Sequence, residues 1–478
     1  MRKQRYICLL FLLLANHFLQ AQDKWGLRKA VDYALANNIS VKQQDVQARL
    51  QALTYDQSKL ALYPTLNFGN SIGLNTGRSI DRTTNQFTTQ SIFYTGFSLQ
   101  TNVDIFNFGS KKYTIAANRY ASEAAVASIE KLKNDIALNV AGGYLQALLN
   151  KQQIEISKIQ VQQSAAQLSN TRKLVEAGSL PELNAAQFES QLAQDSANLI
   201  TAIGNETKAL LALKALLNLD AGVAFDIEAP PVEQIPMEPL ASLEPEAVYA
   251  LALKNLPQQR VNDLLLQSAI KNVAAAKAAM YPSVSLSASV QTNYSNAKNN
   301  AQLIGSSVNG FNPIGIVKGS TDTVIAPNIT PNYRFYAAPF GNQFTDNFSN
   351  GIGVNISVPI FNGGSARTGW KRARLNVETY ELQKQQDNLT LKQDIYSAYT
   401  DAVTSLQTFN AATKAVEATQ KAFDFAQKRY DAGLLNTIDL ITTQNNLFNA
   451  RLQRILAQFD YVFKMKVLEF YRGQGLKL

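Results

Sequence analysis

The sequence contains an internal duplication, which limits the possible folds more than any other feature. Four short motifs each occur twice, in the same order along the chain. The pairs are Ala34-Leu35-x-Asn37 with Ala252-Leu253-x-Asn255, Ala61-Leu62-Tyr63-Pro64 with Ala279-Met280-Tyr281-Pro282, Phe106-Asn107-x-Gly109-Ser110 with Phe361-Asn362-x-Gly364-Ser365, and Glu176-Ala177-Gly178-Ser179-Leu180 with Asp431-Ala432-Gly433-Leu434-Leu435. The first two pairs share one spacing and the last two share a longer one, so a single insertion between Pro282 and Phe361 accounts for both. Two internal repeats of one structural unit are therefore predicted.

The duplication divides the chain into a first repeat at residues 22–228 and a second repeat at residues 244–478. Residues 229–243 are predicted to be a Pro-rich linker, because the segment Glu228–Glu246 carries five prolines. We expect this linker to be extended and to lie on the outside of the helices.

Residues 1–21 have the features of a secretory signal peptide. Met1–Arg5 is basic, Tyr6–Ala15 is apolar, and Ala21 supplies a small residue at a cleavage site. The apolar core is too short for a membrane span. The only cysteine, Cys8, and the only histidine, His17, lie in this segment.

Removal of the signal peptide leaves a chain without thiol or imidazole groups. That composition excludes disulfides, nucleophiles of the Cys or Ser-His type and the usual zinc sites. We therefore predict no enzyme activity, no cofactor and no metal. The formal net charge is +9, but Lys and Arg are scattered rather than clustered, so no nucleic-acid partner is predicted.

Four segments alternate between apolar and polar residues with the period of two that is typical of β-strands. They are residues 65–75, 91–106, 283–292 and 347–361. In the second segment, for example, Phe97 and Leu99 alternate with Ser98 and Gln100. The polar positions are occupied by Ser, Asn, Gly, Thr and Gln, and Asp104 is the charged exception.

These strands are long enough to cross a bilayer when tilted, at about 10–14 residues each. A soluble β-sandwich is the alternative, but its outer face would be expected to carry Lys and Glu. Small uncharged side chains suit a water-filled lumen better, so a membrane β-barrel is predicted. Four strands cannot close a barrel, which needs at least about eight, so two or three subunits must share one. No apolar run of about 18 residues follows residue 22, so no transmembrane helix is predicted.

The remaining segments are predicted to be helical, because they are rich in Ala, Gln, Leu and Lys. They are residues 27–62, 110–176, 181–219, 244–280, 365–431 and 437–471. The two longest extend roughly 100 Å at about 1.5 Å per residue, which implies coiled-coil-like packing. Residues 293–346 are rich in Asn, Gly and Ser and are predicted to form a long outer loop. We expect its residues 296–343 to be dispensable for assembly; an aromatic lid is the alternative.

The order of these features resembles the TolC-type outer-membrane efflux proteins. The resemblance covers the chain after the signal peptide. It rests on the duplication, the helix–strand–strand–helix order, the Tyr-Pro and Phe-Asn-x-Gly-Ser junctions and the two Ala-Gly turns. It implies an α+β membrane protein: a homotrimer whose shared 12-strand antiparallel β-barrel, with four strands from each chain, is continuous with a long α-helical coiled-coil barrel.

The resemblance also implies a location, a function and partners. The chain would lie in the outer membrane, in contact with its lipid, and extend into the periplasm. It would be the exit duct of a tripartite efflux pump or a type I secretion system, passively conducting small molecules or exported substrates. Its partners would be a periplasmic adaptor (membrane fusion) protein and an inner-membrane transporter. A porin-like diffusion channel does not explain the long helices, and a soluble periplasmic coiled-coil adaptor does not explain the strands; both remain alternatives.

Candidate site residues follow from the same resemblance. The turns at Ala177-Gly178 and Ala432-Gly433 match the periplasmic tips, where the adaptor makes contact. The residues predicted to form the periplasmic gate are Asp439, Tyr430, Asn184 and Thr442. Thr442 replaces the family's second gate aspartate and Leu435 its gate arginine, so a weaker charge lock is expected.

Overall fold

The computed structural model describes residues 24–80, 85–89, 91–228, 235 and 237–473. The predicted signal peptide and most of the predicted linker, residues 229–234 and 236, lie outside the described residues. The chain forms two compact units. The sheet unit consists of Asp56–Ala116 and Lys271–Ala373, and the helical unit of the segments up to Tyr55, Ala117–Ile270 and from Arg374 onward. Each unit takes segments from both predicted repeats.

The sheet unit contains the strands. They are β1 (Thr65–Asn75), β2 (Arg78–Ile80), β3 (Phe87–Thr89), β4 (Ile92–Phe106), β5 (Ser283–Ser295), β6 (Asn299–Ile316), β7 (Thr323–Ala337) and β8 (Ser349–Ser357). An antiparallel four-stranded sheet has the order β1-β4-β5-β8, while β2-β3 and β6-β7 are separate hairpins. All four strand ends that continue into helices lie at one end of the sheet, so both hairpins leave from the opposite end.

The register places like residues in rows across the sheet. Leu66 pairs with Thr101, Thr101 with Ala288, and Ala288 with Ile352. The next row is Asn67, Gln100, Ser289 and Gly351. Because directly paired residues share a face, one face of the sheet is apolar and the other is small and polar. We call the first the apolar sheet face.

Two details of the strands differ from the sequence interpretation. A bulge between Asp104 and Phe106 removes Ile105 from the regular alternation, and Phe106 pairs with Val284 instead. The last strand ends at Ser357 rather than at residue 361. Pro359 lies two residues later and cannot donate a ladder hydrogen bond, so the exposed Ile360 and Phe361 lie beyond the strand.

The predicted outer loop at residues 293–346 is largely regular structure. It begins within β5, continues through the β6-β7 hairpin and ends with a short helix. The prediction of a loop was wrong because Asn, Gly and Pro residues concealed an alternation in β7, where Ile325, Ile329, Tyr333 and Phe335 occupy every second or fourth position.

The helices account for the remaining regular structure of the described chain. In chain order they are α1 (Leu27–Asn37), α2 (Ile39–Leu60), α3 (Ser110–Glu176), α4 (Glu182–Leu217), α5 (Pro245–Asn255), α6 (Pro257–Ala278), α7 (Phe340–Asp346), α8 (Ser365–Asp431) and α9 (Thr437–Tyr471). The helices α3 and α8 have 67 residues each and the bounds expected from the sequence. No helix in the described part of the chain combines the length and the apolar composition needed to cross a membrane.

The helices expected at residues 27–62 and 244–280 are each broken in two. In the first, Asn38 leaves the helical conformation, and its side-chain oxygen accepts a hydrogen bond from the backbone N–H of Ser40 at 2.8 Å. In the second, Pro257 begins the new helix and Leu256 is extended. The two breaks occupy equivalent positions of the duplicated motif.

The Phe-Asn-x-Gly-Ser motifs form the two junctions from strand to helix. In both copies the Ser N–H donates to the carbonyl of the Asn, from Ser110 to Asn107 and from Ser365 to Asn362. Gly109 and Gly364 both have positive φ, which an L side chain resists. The same backbone geometry therefore starts both long helices.

The helical unit is closely packed. A Cβ atom on Gly143 of α3 would lie 2.9 Å from Leu216 of α4, and one on Gly142 would lie 3.0 Å from Phe463 of α9. The buried Tyr144 donates to the backbone carbonyls of Trp25 and Glu228. Burial, reinforced by the nearby carboxylates of Glu228 and Asp226, raises the pKa of this phenol.

The described part of the linker packs against this unit. Leu243 is fully buried in an apolar cluster with Met465 and Leu468 of α9. The backbone N–H of Glu238 donates to Glu469 at 2.9 Å. This end of the linker is therefore held on the helices rather than free.

Candidate functional site

The two Ala-Gly turns have the same backbone geometry. Gly178 ends α3 with φ of 71°, and its N–H donates to the Val175 carbonyl while that of Ser179 donates to Leu174. Gly433 ends α8 with φ of 73° and makes the matching pair of bonds, with Leu434 donating to Arg429. This is a Schellman motif in both copies, and it reverses the chain within a few residues.

The turns expose apolar side chains beside them. Leu183, Leu434 and Ile438 are all well exposed, with 69% of the Leu434 surface accessible. Leu183 and Ile438 occupy equivalent positions of the two predicted repeats, each in the first turn of the helix that follows its Ala-Gly turn. These residues provide apolar contact surface at the tips.

Tyr430 belongs to the core behind the turns. Its ring makes an edge contact with the buried Phe188, with centroids 6.0 Å apart. Its hydroxyl lies 3.5 Å from the hydroxyls of both Thr171 and Thr437. Tyr430 therefore links α3, α8 and the start of α9 within one chain, through hydrogen bonds at the long limit.

Asp439 lies in the first turn of α9, where Asn436 holds it. The N-cap residue Asn436 accepts a hydrogen bond from the Asp439 N–H at 2.8 Å, and its side-chain amide donates back to the Asp439 carboxylate at 2.9 Å. Asn436 therefore caps α9, and its second bond, between the two side chains, holds the Asp439 carboxylate at the start of the helix. The carboxylate is also well placed against the positive end of the α9 dipole. Thr442 is exposed one turn later and donates to the Ile438 carbonyl at 2.8 Å.

Asn184 forms no hydrogen bond with Tyr430 within the described chain. It lies in the first turn of α4, half-buried, and its backbone N–H donates to Pro181. Leu435, at the position of the family's gate arginine, packs against the apolar cluster around Phe188 and Leu440. Leucine carries no charge, so this position cannot take part in a charge lock.

A buried polar layer lies farther along the same helices, and the sequence interpretation missed it. It consists of Gln160 and Ser164 on α3, Gln191 and Asp195 on α4, and Gln444 and Asn445 on α9. Asp195 is 2% exposed and accepts hydrogen bonds from Ser164 at 2.5 Å and from Gln191 at 2.9 Å. In the sequence, the layer is marked only by polar residues four positions apart where core residues would be expected.

The layer connects helices of the two predicted repeats. Gln444 donates to the Ser164 hydroxyl at 2.9 Å, and Gln191 and Asn445 exchange two amide hydrogen bonds. The Oε1 atom of Gln444 is buried without a hydrogen-bond partner within the described chain. The Asp195 carboxylate forms no ion pair with the described residues; its hydrogen-bond donors are neutral.

The described residues include no group of three or more His, Cys, Asp or Glu side chains that could hold a metal ion. The arrangement of turns, capped helices and polar layer is suited to contact and to conformational stability. It brings together no nucleophile and base in a cleft.

Comparison with known proteins places the chain in a family. The model of the outer membrane efflux protein family matches residues 30–219 and 248–469. The toluene efflux pump outer membrane protein TtgI of Pseudomonas putida is 24% identical over 461 residues, which cover 94% of this chain and 85% of the relative. The alkaline protease secretion protein AprF of Pseudomonas aeruginosa is 22% identical over 461 residues, 94% of this chain and 84% of the relative.

Solved structures share the fold. The outer membrane channel CmeC of Campylobacter jejuni superimposes with a TM-score of 0.70 at 17% identity, over 95% of this chain and 87% of that one. CusC gives a TM-score of 0.75 at 17% identity, over 95% and 93% of the two chains. The TolC-like fold predicted from the sequence is therefore confirmed, with its mixture of long helices and strands. Since the family model spans most of both predicted repeats, the chain belongs to the outer membrane efflux protein family and is an outer-membrane protein of export.

Proposed function

We propose that three copies of the chain form one continuous exit duct across the outer membrane and into the periplasm. The observation that carries this proposal is the four-stranded sheet, in which β1 and β8 each have a neighbour on one side only. Such a sheet cannot close by itself, because a barrel needs at least about eight strands. Three chains give twelve strands and a water-filled lumen, whereas two give eight and a filled interior.

The two faces of the sheet support the same assembly. The apolar sheet face, with the exposed Phe68 and Ile352, would meet lipid. The face of Asn67, Gln100 and Ser289 would line the lumen. Because these side chains are small and uncharged, the lumen would pass solutes without binding them strongly. We assign no catalytic step and no cofactor, so conduction would be passive.

The cargo is proposed only as a class. The relatives named above include a toluene efflux component and an alkaline protease secretion component, so related proteins serve both small molecules and proteins. Substrate selection by an inner-membrane transporter, with a periplasmic adaptor between the two, agrees with this breadth. A porin-like channel is the second candidate, but it gives no role to helices of 67 residues.

Assembly is the decisive test of the proposal. Native mass spectrometry of the detergent-purified protein is expected to give a trimer, and planar bilayers are expected to show discrete conductance steps. A protein that remains monomeric under mild detergent conditions, with no conductance, would overturn the proposal.

The tips are the proposed contact with the adaptor. The residues are Ala177, Gly178, Ala432 and Gly433, and the exposed Leu434 projects beside the second turn. A photo-crosslinking residue at Leu434 is expected to capture a membrane fusion protein in cells. The same probe at the exposed Gln194, on the outside of α4, is the control. Equal capture at both positions would contradict adaptor docking at the tips.

The mouth of the duct would be gated near Tyr430, Asn184, Asp439 and Thr442. Because the Tyr430 hydroxyl contacts lie at 3.5 Å, their net contribution is at most about 1 kcal/mol per chain, or about 3 kcal/mol in a trimer that opens as a unit. The double variant Tyr430→Phe, Asn184→Ala is therefore expected to open more often in planar bilayers. Asp439→Asn is expected to weaken block by multivalent cations. Unchanged conductance and block in both variants would place the constriction elsewhere.

A further inference from the structure

The β6-β7 hairpin has one apolar face and one polar face. The strand β7 is regular, and its partners in β6 fix the faces: Leu303 pairs with Tyr333, Val308 with Ile329, and Ala301 with Phe335. The apolar hairpin face consists of Leu303, Val308, Phe311, Ile325, Ile329 and Phe335. Their exposed fractions range from 55% for Ile325 to 68% for Phe335, so nothing in the described chain covers them.

The opposite face of the hairpin is polar. Ser307 and Asn332 lie 3.3 Å apart, and Asn309 donates to the Thr330 hydroxyl at 2.7 Å. The face assignment is thus supported by side-chain contacts as well as by register. The charged residues of the hairpin are Lys318 and Asp322 in the turn and Arg334, whose position in β7 is on the polar side. The apolar hairpin face carries no charge.

The root of the hairpin is fixed to the sheet by α7. The fully buried Gln343 donates to the backbone carbonyls of Ser295 and Ala338 and accepts from the Ser295 N–H at 2.9 Å. Thr292 donates to the Phe344 carbonyl at 2.8 Å. These bonds hold both ends of the hairpin at the end of β5, so its orientation is not left to a free loop.

The helix α7 lies on the apolar sheet face. Phe344 contacts Phe97 with ring centroids 6.1 Å apart, and Phe340 contacts Tyr294 at 5.3 Å. Phe97 and Tyr294 lie on the apolar sheet face, because each is an even number of residues along its strand from Leu99 or Val290; their direct partners are Asn70, Thr292 and Thr95. Phe340, Phe344 and the nearby Phe348 are each at least 42% exposed. Exposed aromatic residues at the end of a membrane-length sheet are typical of the girdle where a barrel leaves the lipid.

We propose that the β6-β7 hairpin lies on the lipid surface, with its apolar face in the outer leaflet and its polar face toward water. This inference rests on the proposed function, in which the apolar sheet face meets lipid. It follows from continuity: the apolar sheet face, the aromatic side chains on α7 and the apolar hairpin face succeed one another along the chain. A charge-free apolar face on a two-stranded element matches the requirements of a segment that lies in the interface.

Addition of a strand from a second copy of the chain is disfavoured. Strand addition needs a regular edge with free N–H groups. The strand β6 has irregular register at three places and contains Pro313, while β7 contains Pro327 and Pro331. Prolines and bulges at an edge prevent pairing with another strand. The hairpin is therefore protected against edge pairing while its apolar face stays open.

Single cysteines carrying an environment-sensitive fluorophore test the proposal. Because Cys8 is the only cysteine of the chain, a Cys8→Ser background makes each new thiol unique. The adjacent positions Ile329→Cys and Thr330→Cys report the two faces of the hairpin. Leu286→Cys and Ser287→Cys, also adjacent, report the two faces of the sheet. Each full-length protein is labelled and reconstituted into phosphatidylcholine vesicles, with or without doxyl-labelled lipid as quencher.

We expect doxyl lipid to remove most of the emission of the label at residue 329 and little of that at residue 330. Two results would overturn the inference: equal quenching of the labels at residues 329 and 330, or no quenching of either. If the label at residue 286 is quenched and that at residue 287 is not, the proposed function stays intact. Quenching at 329 but not at 286 would keep the hairpin on lipid and reject the proposed sheet orientation. Efficient disulfide crosslinking of unlabelled Ile329→Cys between chains, without lipid quenching, would assign the face to a second copy.

Discussion

The buried polar layer offers a sharp test of how the helical unit is held together. In Asp195→Ala, the Ser164 hydroxyl and the Gln160 amide lose their shared acceptor. Ser164 is fully buried and Gln160 is 3% exposed, so water does not readily replace the carboxylate. Each buried donor left without an acceptor costs about 1–3 kcal/mol. Gln191 keeps its bonds with Asn445. The expected total is therefore about 2–6 kcal/mol per chain, before any cavity term.

Asp195→Asn is expected to cost less than Asp195→Ala. With its carbonyl oxygen in the position of the carboxylate oxygen that Ser164 and Gln160 share, the asparagine still accepts both of these hydrogen bonds. Its new amide faces the Gln191 amide, which loses one acceptor but keeps its bonds with Asn445. Because Gln191 is only half-buried, water can replace the lost acceptor. We expect a loss of about 1–2 kcal/mol.

The apparent melting temperature is the readout. It is measured by circular dichroism of the helices at one fixed scan rate, because the apparent value depends on scan rate wherever unfolding is irreversible. Gln194→Ala on the exposed side of the same helix is the matched control and is expected to change stability by less than about 0.5 kcal/mol. The expected order of melting temperatures is wild type, then Asn, then Ala at position 195. A melting temperature for Asp195→Asn as low as that of Asp195→Ala would refute the retained acceptor and show that the negative charge itself is required.

Further predictions concern other parts of the chain. Lys466→Met is expected to cost about 3–5 kcal/mol, because it leaves the Glu469 carboxylate, 4% exposed and 2.8 Å from the Lys466 ammonium, without its cation; adding Glu469→Gln should restore most of the melting temperature. Leu286→Arg is expected to make the free energy of insertion into liposomes less favourable by about 2–4 kcal/mol per chain, and Ser287→Arg by far less. Equal losses in the two variants would contradict the assigned faces. Tyr430→Phe alone should change the free energy of unfolding by less than about 1 kcal/mol and so lower the melting temperature only slightly, since both hydroxyl contacts of Tyr430 are long.

The order and bounds of the helices and strands could be predicted from the sequence where the periodicity was strong. The alternation in β1 and β4 and the helical composition of α3 and α8 extend over many residues, and the element bounds agree closely with those expected. The short breaks at Asn38 and Leu256 were missed because one residue leaves a helix without disturbing the composition around it. The assignment of residues to two repeats stays a prediction, although equivalent breaks and turns support it.

The site was less predictable than the fold. Resemblance located the turns, but side-chain partners depend on packing that the sequence does not display. Asp439 is engaged by Asn436, three residues earlier, and this capping pair was visible in the sequence as a polar residue ahead of the helix. The bond from Gln444 to Ser164 joins residues 280 apart in sequence, so neither residue alone indicates the layer.

The structure of the β6-β7 hairpin changes how a deletion of residues 296–343, expected to be dispensable for assembly, should be interpreted. Removing residues 296–343 takes away Gln343, whose side chain satisfies both backbone groups of Ser295 and the carbonyl of Ala338. It also removes Phe340 from its contact with Tyr294 and cuts α7 after its fourth residue. A loss of assembly after that deletion would therefore report on the root of the hairpin, not on its strands.

Removing only residues 299–337 and joining Lys298 to Ala338, whose backbone groups already share a hydrogen bond at 2.9 Å, keeps the root and isolates the contribution of the hairpin. Within the described chain, β6 and β7 pack mainly on each other. This shorter deletion is therefore expected to preserve assembly and conductance. A failure of the shorter variant to form trimers, with α7 intact, would mean that the apolar hairpin face is part of the subunit interface.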